Sequence, residues 1–371
     1  MGCFEEADRH IFYPELEMPD TVKIIECPRD ARQGLPAQIP PEHRGDRLCR
    51  RIAAARGSKM RRLRPPIYAL LTLVSASLAC TPQPANAQSC GSSGLAVQVL
   101  GSGGPETEGK RASTSYLIWQ NGLSRVIVDA GGGSALRFGE SGAKMSQLDV
   151  FLFSHFHVDH SSDFPALVFS SWFGDRSRPL PVYGPSGNDF MPSTTEFVRD
   201  LFSDPRGAWR YLSDMVEPNP QGTYQLQPHN VAPASVPALV FRNADMAVYA
   251  VSVGHGAFPA LAWRVEIGGK QIVFGGDTNG EGQGLTQLAS NADIFIAHNA
   301  VPEGATGVER RLHMPPSVIG AIAANAHVKQ LVLSHRMLRT LGKEEETQFQ
   351  IRRRFSGPIR FANDLECFPL E

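Results

Sequence analysis

The sequence predicts an α/β fold built as two β/α halves. Short apolar runs recur along the chain, each ending in a His or Asp at its C-terminal tip: Val150 to Phe153 before His155, Ala247 to Val253 before His255, Gln271 to Phe274 before Asp277, Ile294 to Ala297 before His298, and Gln330 to Leu333 before His335. Helical stretches follow some of them, over Phe164 to Phe173, around Thr194 to Leu201, and over Ser317 to Asn325. The chain has 371 residues, 42% hydrophobic and 20% charged, which are globular values with ample material for a core. Polar residues at the C-terminal tips of strands are where an open α/β sheet puts its chemistry.

The first 59 residues are unlike the rest, rich in Pro, Arg and acidic residues, and read as a disordered or spurious N-terminal extension. Residues 60–87 read as a secretory signal peptide: Lys59, Arg61, Arg62 and Arg64 are basic, Ile67 to Ala79 is apolar, and Ala85-Asn86-Ala87 is a cleavage site. The apolar run of 13 residues is too short to span a bilayer comfortably. A rival reading makes Cys80 a lipid-attachment site and the product a lipoprotein. Either way the mature chain, 88–371, is expected in the periplasm or secreted. Of six cysteines only Cys90 and Cys367 lie beyond Cys80. An oxidising compartment favours pairing them across the termini, and two free thiols are the alternative.

The mature chain opens on the alternating run Leu95 to Leu100 and the tight turn Gly101-Ser102-Gly103-Gly104-Pro105. Thr114 to Trp119 and Arg125 to Val128 form a hairpin about Asn121-Gly122. Asp129 then either orients a metal ligand or caps a turn. Leu180 to Tyr183 is a strand, and Glu217 to Pro237 is read as loops walling a cleft. Leu261 to Ile267 pairs with Gln271 to Phe274 across Gly268-Gly269.

The densest chemistry lies in Phe151 to Asp163, FLFSHFHVDHSSD, where His155, His157, Asp159 and His160 spell H-x-H-x-D-H. Imidazole nitrogen and carboxylate oxygen are the donors that zinc and similar divalent ions take. A lone His would be ambiguous, but four ligand-type side chains within six residues are not explained by packing. Nine of eleven histidines lie between His155 and His335. A two-metal hydrolytic site needs about three protein donors per ion and a shared oxygen. His155, His157 and His255 supply one position, Asp159, His160 and His335 the other, and Asp277 bridges them. Two ions so held lower the pKa of a water between them. Asp159 and His313 are the catalytic candidates, His313 as the group that protonates the leaving atom. A strand-end core histidine, a turn aspartate and a helix cap would each explain His255, Asp277 or His313 alone. His298 is the weaker candidate, assigned to orienting a ligand, and His229 and His327 are bystanders.

The series GSGGP, SHFHVDH, SVGHG, FGGDT, HMPP, LSHR and Ala362-Asn363-Asp364 resembles the metallo-β-lactamase superfamily. Within it the chain is most similar to the ribonuclease Z-like branch, which also holds arylsulfatase- and phosphodiesterase-type members. The resemblance covers about Leu95 to Leu370. It implies a four-layer αββα sandwich carrying two zinc ions at its edge, with manganese or iron as substitutes. It also implies His155, His157, His255 and Asp277 as ligands of one ion, Asp159, His160, Asp277 and His335 as ligands of the other, and His313 as the catalytic histidine. Two positions depart from the family pattern. Met314 replaces a small hydroxyl residue, and Asn299 replaces the Glu of the tRNA-processing enzymes.

The tRNA-processing members grip RNA through an inserted basic arm between the third His motif and the GDT aspartate. Here Asp277 follows His255 by only 22 positions, and a hairpin fills the interval. The formal net charge of −1 offers no electrostatic footprint for nucleic acid. The expected function is therefore that of an exported di-zinc hydrolase acting on a small-molecule ester, a phosphodiester or aryl ester, with homodimerisation left open. The alternatives are a tRNA 3′-end endonuclease, a β-lactamase (which Asp277 argues against), and an inactive metal-binding protein.

Overall fold

A computed structural model describes residues 90–217 and 224–371. The expected leader, the extension before it and the lipid-attachment reading of Cys80 lie outside the described residues. The strands form two seven-stranded sheets. In chain order the first sheet holds β1 (Leu95–Gly101), β2 (Ser115–Gln120), β3 (Leu123–Val128), β4 (Val150–Leu152), β5 (Leu180–Pro185) and β6 (Leu226–Val231). The second holds β7 (Ala238–Arg242), β8 (Met246–Val253), β9 (Ala260–Ile267), β10 (Lys270–Phe274), β11 (Ile294–His298), β12 (Leu331–Ser334) and β13 (Ile359–Phe361). The last strand, β14 (Cys367–Leu370), returns to the first sheet and pairs antiparallel with β1.

Each sheet starts antiparallel and ends parallel: β1, β2 and β3 alternate and β3 to β6 run together, while β7 to β10 alternate and β10 to β13 run together. The two expected halves are these two sheets. Period-two side chains sort the layers. On β2, Tyr116 and Ile118 enter the core between the sheets, while Leu117 and Trp119 face the outer core. On β11, Ile294 and Ile296 point inward, and Phe295 and Ala297 outward. Trp263 on β9 is fully buried in the shared core, with Nε1 donating to the Phe153 carbonyl at 3.1 Å. Truncating a buried side chain of that size to Ala costs on the order of 3–5 kcal/mol.

The outer cores are closed by helices: α1 (Ser134–Glu140), α3 (Phe164–Trp172) and α4 (Thr194–Phe202) over the first sheet. Over the second lie α5 (Gly284–Leu288), α7 (Pro316–Asn325) and α8 (Glu344–Arg352). The short α2 (Val158–Ser161) and α6 (Gly307–Leu312) sit at the strand ends. This is the αββα sandwich that the resemblance implied. Helix α4 starts where Ser193 and Glu196 form a reciprocal capping box. The β9–β10 turn is the expected one, with Gly268 and Gly269 both at positive φ.

One stretch differs from expectation. The region read as loops from Glu217 to Pro237 carries β6 within it. Only Leu226 and Val231 of that strand are buried, because it lies at a sheet edge with one neighbour, so its sequence is mostly polar.

Cys90 and Cys367 are disulfide-bonded, with Cα atoms 5.5 Å apart across a sequence separation of 277. The bridge ties the start of the described chain to β14. Closing so long a loop restricts the unfolded chain and contributes about 2–5 kcal/mol. Mild reduction should therefore lower Tm by several degrees, and unreduced denatured 88–371 protein should show no free thiol. Two titratable thiols with an unchanged Tm would contradict the bridge.

Candidate metal centre

The expected ligands meet at one edge of the sandwich because β4, β8, β10 and β12 all end there. His155, His157, Asp159 and His160 follow β4, His255 follows β8, Asp277 follows β10, and His335 follows β12. Two tight approaches make the convergence feasible. A Cβ on Gly131 would stand 2.1 Å from the Asp159 carbonyl oxygen, so only glycine lets the loop after β3 lie against α2. A Cβ on Gly104 would stand 2.6 Å from Cε1 of His335, which gives the Gly101 to Pro105 turn a packing role beside the site. Asp364 holds that turn by accepting from the Ser102 amide at 3.1 Å and its hydroxyl at 2.7 Å. Asp129 (φ 60) and His335 (φ 50) both take the left-handed backbone that non-glycine residues avoid, and such strain concentrates at functional sites.

Asp277 stands at the centre, 2% exposed. Its Oδ2 lies 3.8 Å from His155 Nε2 and 3.6 Å from both His160 Nε2 and His255 Nε2. Its Oδ1 lies 3.4 Å from His335 Nε2 and 2.6 Å from His298 Nδ1. His157 Nδ1 lies 3.3 Å from His255 Nε2. Asp159 Oδ2 lies 3.1 Å from His335 Nε2 and 3.7 Å from His160 Nε2. Two donors at about 2.1 Å from a tetrahedral ion are roughly 3.4 Å apart, so this spacing suits donors around cations. Two groups form with Asp277 in both: His155, His157, His255 and Asp277, and His160, Asp277, His298 and His335.

The inward nitrogens are set by what holds the other side of each ring. His160 Nδ1 donates to Asp129 Oδ2 at 2.9 Å, His255 Nδ1 to the Leu312 carbonyl at 2.9 Å, and His155 Nδ1 faces Ser154 Oγ at 3.1 Å. Ser154 in turn donates to Asp129 through its amide and its hydroxyl, both at 2.7 Å. Of the two readings of Asp129, ligand orientation is the one its contacts fit. Nε2 of His155 and of His160 are buried without a hydrogen-bond partner. Buried polar atoms rarely go unpaired. Inward lone pairs around a carboxylate are the environment a divalent cation needs, so the residues present fit the metal.

Electrostatics agree. Burial drives the pKa of His155 well down, with the neighbouring His160 adding to it, and burial lowers His157 as well. Burial raises and His335, His313 and His160 lower Asp277, and the histidines win, holding it well below the usual carboxylate range. Asp159 falls to about 2 against its own burial, through His160 and His335. Burial pushes His160 and His335 down, yet the surrounding carboxylates hold both above their ordinary value. An ion bound there must displace those protons. His313 differs from expectation. Its Nδ1 lies 3.8 Å from Asp277 Oδ1, but burial, aided by His335 and His255, pushes its pKa to about 3 rather than leaving it near neutral.

Residues 124–336 match the family model described as the Beta-lactamase superfamily domain. The chain belongs to the metallo-β-lactamase superfamily. On its ribonuclease Z-like branch, the "Ribonuclease Z" of Mycobacterium bovis is 25% identical over 283 residues, covering 73% of this chain and 96% of that protein. The metallo-β-lactamase fold protein YhfI from Bacillus subtilis matches at TM-score 0.56 and 20% identity, covering 74% of this chain and 98% of its own. The short form of human tRNase Z matches at TM-score 0.56 and 19% identity, covering 74% and 99%.

As a member of the metallo-β-lactamase superfamily the chain is a metal-dependent hydrolase, and the buried cluster is its divalent-metal centre. The superfamily motifs led to seven ligand candidates, and the structure brings all seven together. It adds groups that sequence reasoning passed over. Ser154 stood beside His155 and could have been suspected from adjacency. Tyr116, whose hydroxyl meets His298 Nε2 at 3.0 Å, left no local signal. His298 stands in the second group's quartet, a place expected for Asp159. His229 stacks on Tyr183 at 4.5 Å, and neither it nor His327 belongs to either group.

Proposed function

We propose that this protein is an exported di-zinc hydrolase cleaving a small phosphodiester or aryl ester. The observation that carries the reading is Asp277, one buried carboxylate common to both donor groups, with Oδ2 facing His155, His255 and His160 and Oδ1 facing His335. Two divalent ions held there supply polarisation of a substrate oxygen and an acidified water. His155, His157 and His255 hold one, and Asp159, His160 and His335 the other. The His-rich set favours zinc, with manganese and iron as the alternatives. Neutral His313, 3.8 Å from Asp277 Oδ1, stands beside the same carboxylate as the proton carrier.

Three features support a small substrate. The His255-to-Asp277 segment is a hairpin closed by two glycines, with no room for a binding arm. The net charge of −1 gives RNA no general attraction. Apolar side chains rim the first donor group: the Phe258 ring packs edge-on against His157 at 4.3 Å, and Val158 stands 76% exposed beside it. A ring on the substrate would bury that surface. The Cys90–Cys367 bridge supports an oxidising compartment, in line with the leader reading.

A second reading, tRNA 3′-end processing, is favoured by the relatives named ribonuclease Z. The test is turnover by metal-replete protein of bis-aryl phosphate, aryl sulfate, lactone, β-lactam and precursor tRNA, with metal content measured alongside. Bis-aryl phosphate turnover without tRNA cleavage is expected. Preferential cleavage of precursor tRNA would replace the proposal with the second reading. Silence on every substrate at full metal occupancy would leave a metal-binding protein.

A further inference from the structure

His298 meets the geometric test for a metal donor, since it stands with His160, Asp277 and His335 in one tight group. Its hydrogen bonds say otherwise. Nδ1 lies 2.6 Å from Asp277 Oδ1, and Nε2 lies 3.0 Å from the hydroxyl of Tyr116. A carboxylate oxygen only accepts, so Nδ1 carries the proton. A neutral imidazole then has one lone pair left, on Nε2, and the Tyr116 hydroxyl donates into it. Were the ring doubly protonated, Nε2 would donate to the phenol oxygen instead. In either state no lone pair of His298 is free for a cation.

We propose that Tyr116 and His298 are a positioning relay for Asp277, the carboxylate common to both donor groups: Asp277 sets the tautomer of His298, Tyr116 anchors the far side of its ring, and His298 turns Asp277 so that its second oxygen faces His155, His160 and His255. This rests on the metal reading of the cluster and goes beyond it, since it removes one member of a donor quartet and adds a residue from the opposite sheet. Tyr116 sits on β2 in the first sheet, and His298 ends β11 in the second. The relay therefore spans the shared core from one sheet to the other. Both residues are held: Tyr116 is 1% exposed and packs on Phe274 at 5.3 Å, and His298 is 2% exposed and lies against His335 at 4.8 Å. Partners one step behind the ligands typically change metal affinity by about 10–100-fold when removed.

The test uses the full chain and Zn2+ titration against a chromophoric chelator, with metal counted at saturation and Tm of the metal-free protein as the folding control. Tyr116→Phe keeps the ring and loses one hydroxyl; about a 10-fold weaker Zn2+ affinity at an unchanged count of two ions is expected. His298→Ala should weaken affinity by about 100-fold. His298→Asn, whose side-chain amide can donate where Nδ1 did, should recover most of that loss, which a merely space-filling role would not predict. Because Tyr116 acts through His298, adding Tyr116→Phe to His298→Asn should change nothing further. A saturated count falling from two to one in His298→Asn would make His298 a ligand and overturn the proposal. Full additivity in the double variant, or wild-type affinity in Tyr116→Phe, would overturn the relay. Wild-type protein that takes up no Zn2+ would end the metal reading itself, and this proposal with it.

Discussion

Asp277→Asn should yield a folded protein that retains less than one divalent ion per chain and has lost at least about 10³-fold in kcat/KM, or roughly 4 kcal/mol of transition-state stabilisation. The reason is position. One oxygen of Asp277 stands within 3.6–3.8 Å of three histidine nitrogens, and the other is 3.4 Å from a fourth. The amide keeps the shape but puts an N–H donor with no lone pair where one of those oxygens was. It also removes the negative charge that His335 and His160 stabilise on Asp277. Both ion positions lose a ligand at once. His157→Ala should behave differently, because His157 serves the first group alone and is half-buried at its edge; one ion should be lost and the other kept. Elemental analysis of the two variants beside wild type, with Tm of each metal-free protein, separates these outcomes. Full occupancy in Asp277→Asn would remove that carboxylate from the shared position.

The parts of this centre legible in the sequence were those whose chemistry is local. His155 to His160 lie within six residues, so their ligand character needs no tertiary information. The β9–β10 hairpin was equally plain, since Gly268-Gly269 permits only a tight turn between alternating apolar residues. Elements that bury little were harder to see. Helix α8 buries only Thr347 and Ile351 of its nine residues, and β13 is three residues long, so neither has enough apolar periodicity to stand out. Strand β6 carries Pro228 and His229 at a sheet edge and buries only its two end residues. The relay from Tyr116 to Asp277 was invisible for another reason. Its bonds span 182 and 21 residues, and an ordinary core tyrosine has the same local sequence. The lowered pKa of His313 follows from desolvation by burial, with the charges of His335 and His255 adding to it, and burial depends on packing that spacing does not encode.

That desolvation shapes the second large effect. His313→Ala should keep both ions, since His313 belongs to neither donor group, yet slow turnover by about 10²-fold or more. Burial pushes the pKa of His313 to about 3, so at neutral pH the free protein holds it as an unprotonated imidazole with Nδ1 unpartnered. A neutral ring is a poor acid until negative charge arrives beside it. An anionic phosphodiester supplies that charge, raises the pKa of His313 and recruits the proton that the leaving oxygen needs. The loss in His313→Ala should therefore depend on the leaving group. A nitrophenolate departs well without a proton and should lose little, whereas an unsubstituted phenolate or an alkoxide needs one and should lose the full factor. The measurement is kcat for a series of aryl and alkyl phosphodiesters in wild type and His313→Ala at equal metal content. An equal loss across the series would show that His313 binds or positions the substrate instead of protonating it, and metal loss in the variant would move it into the ligand set.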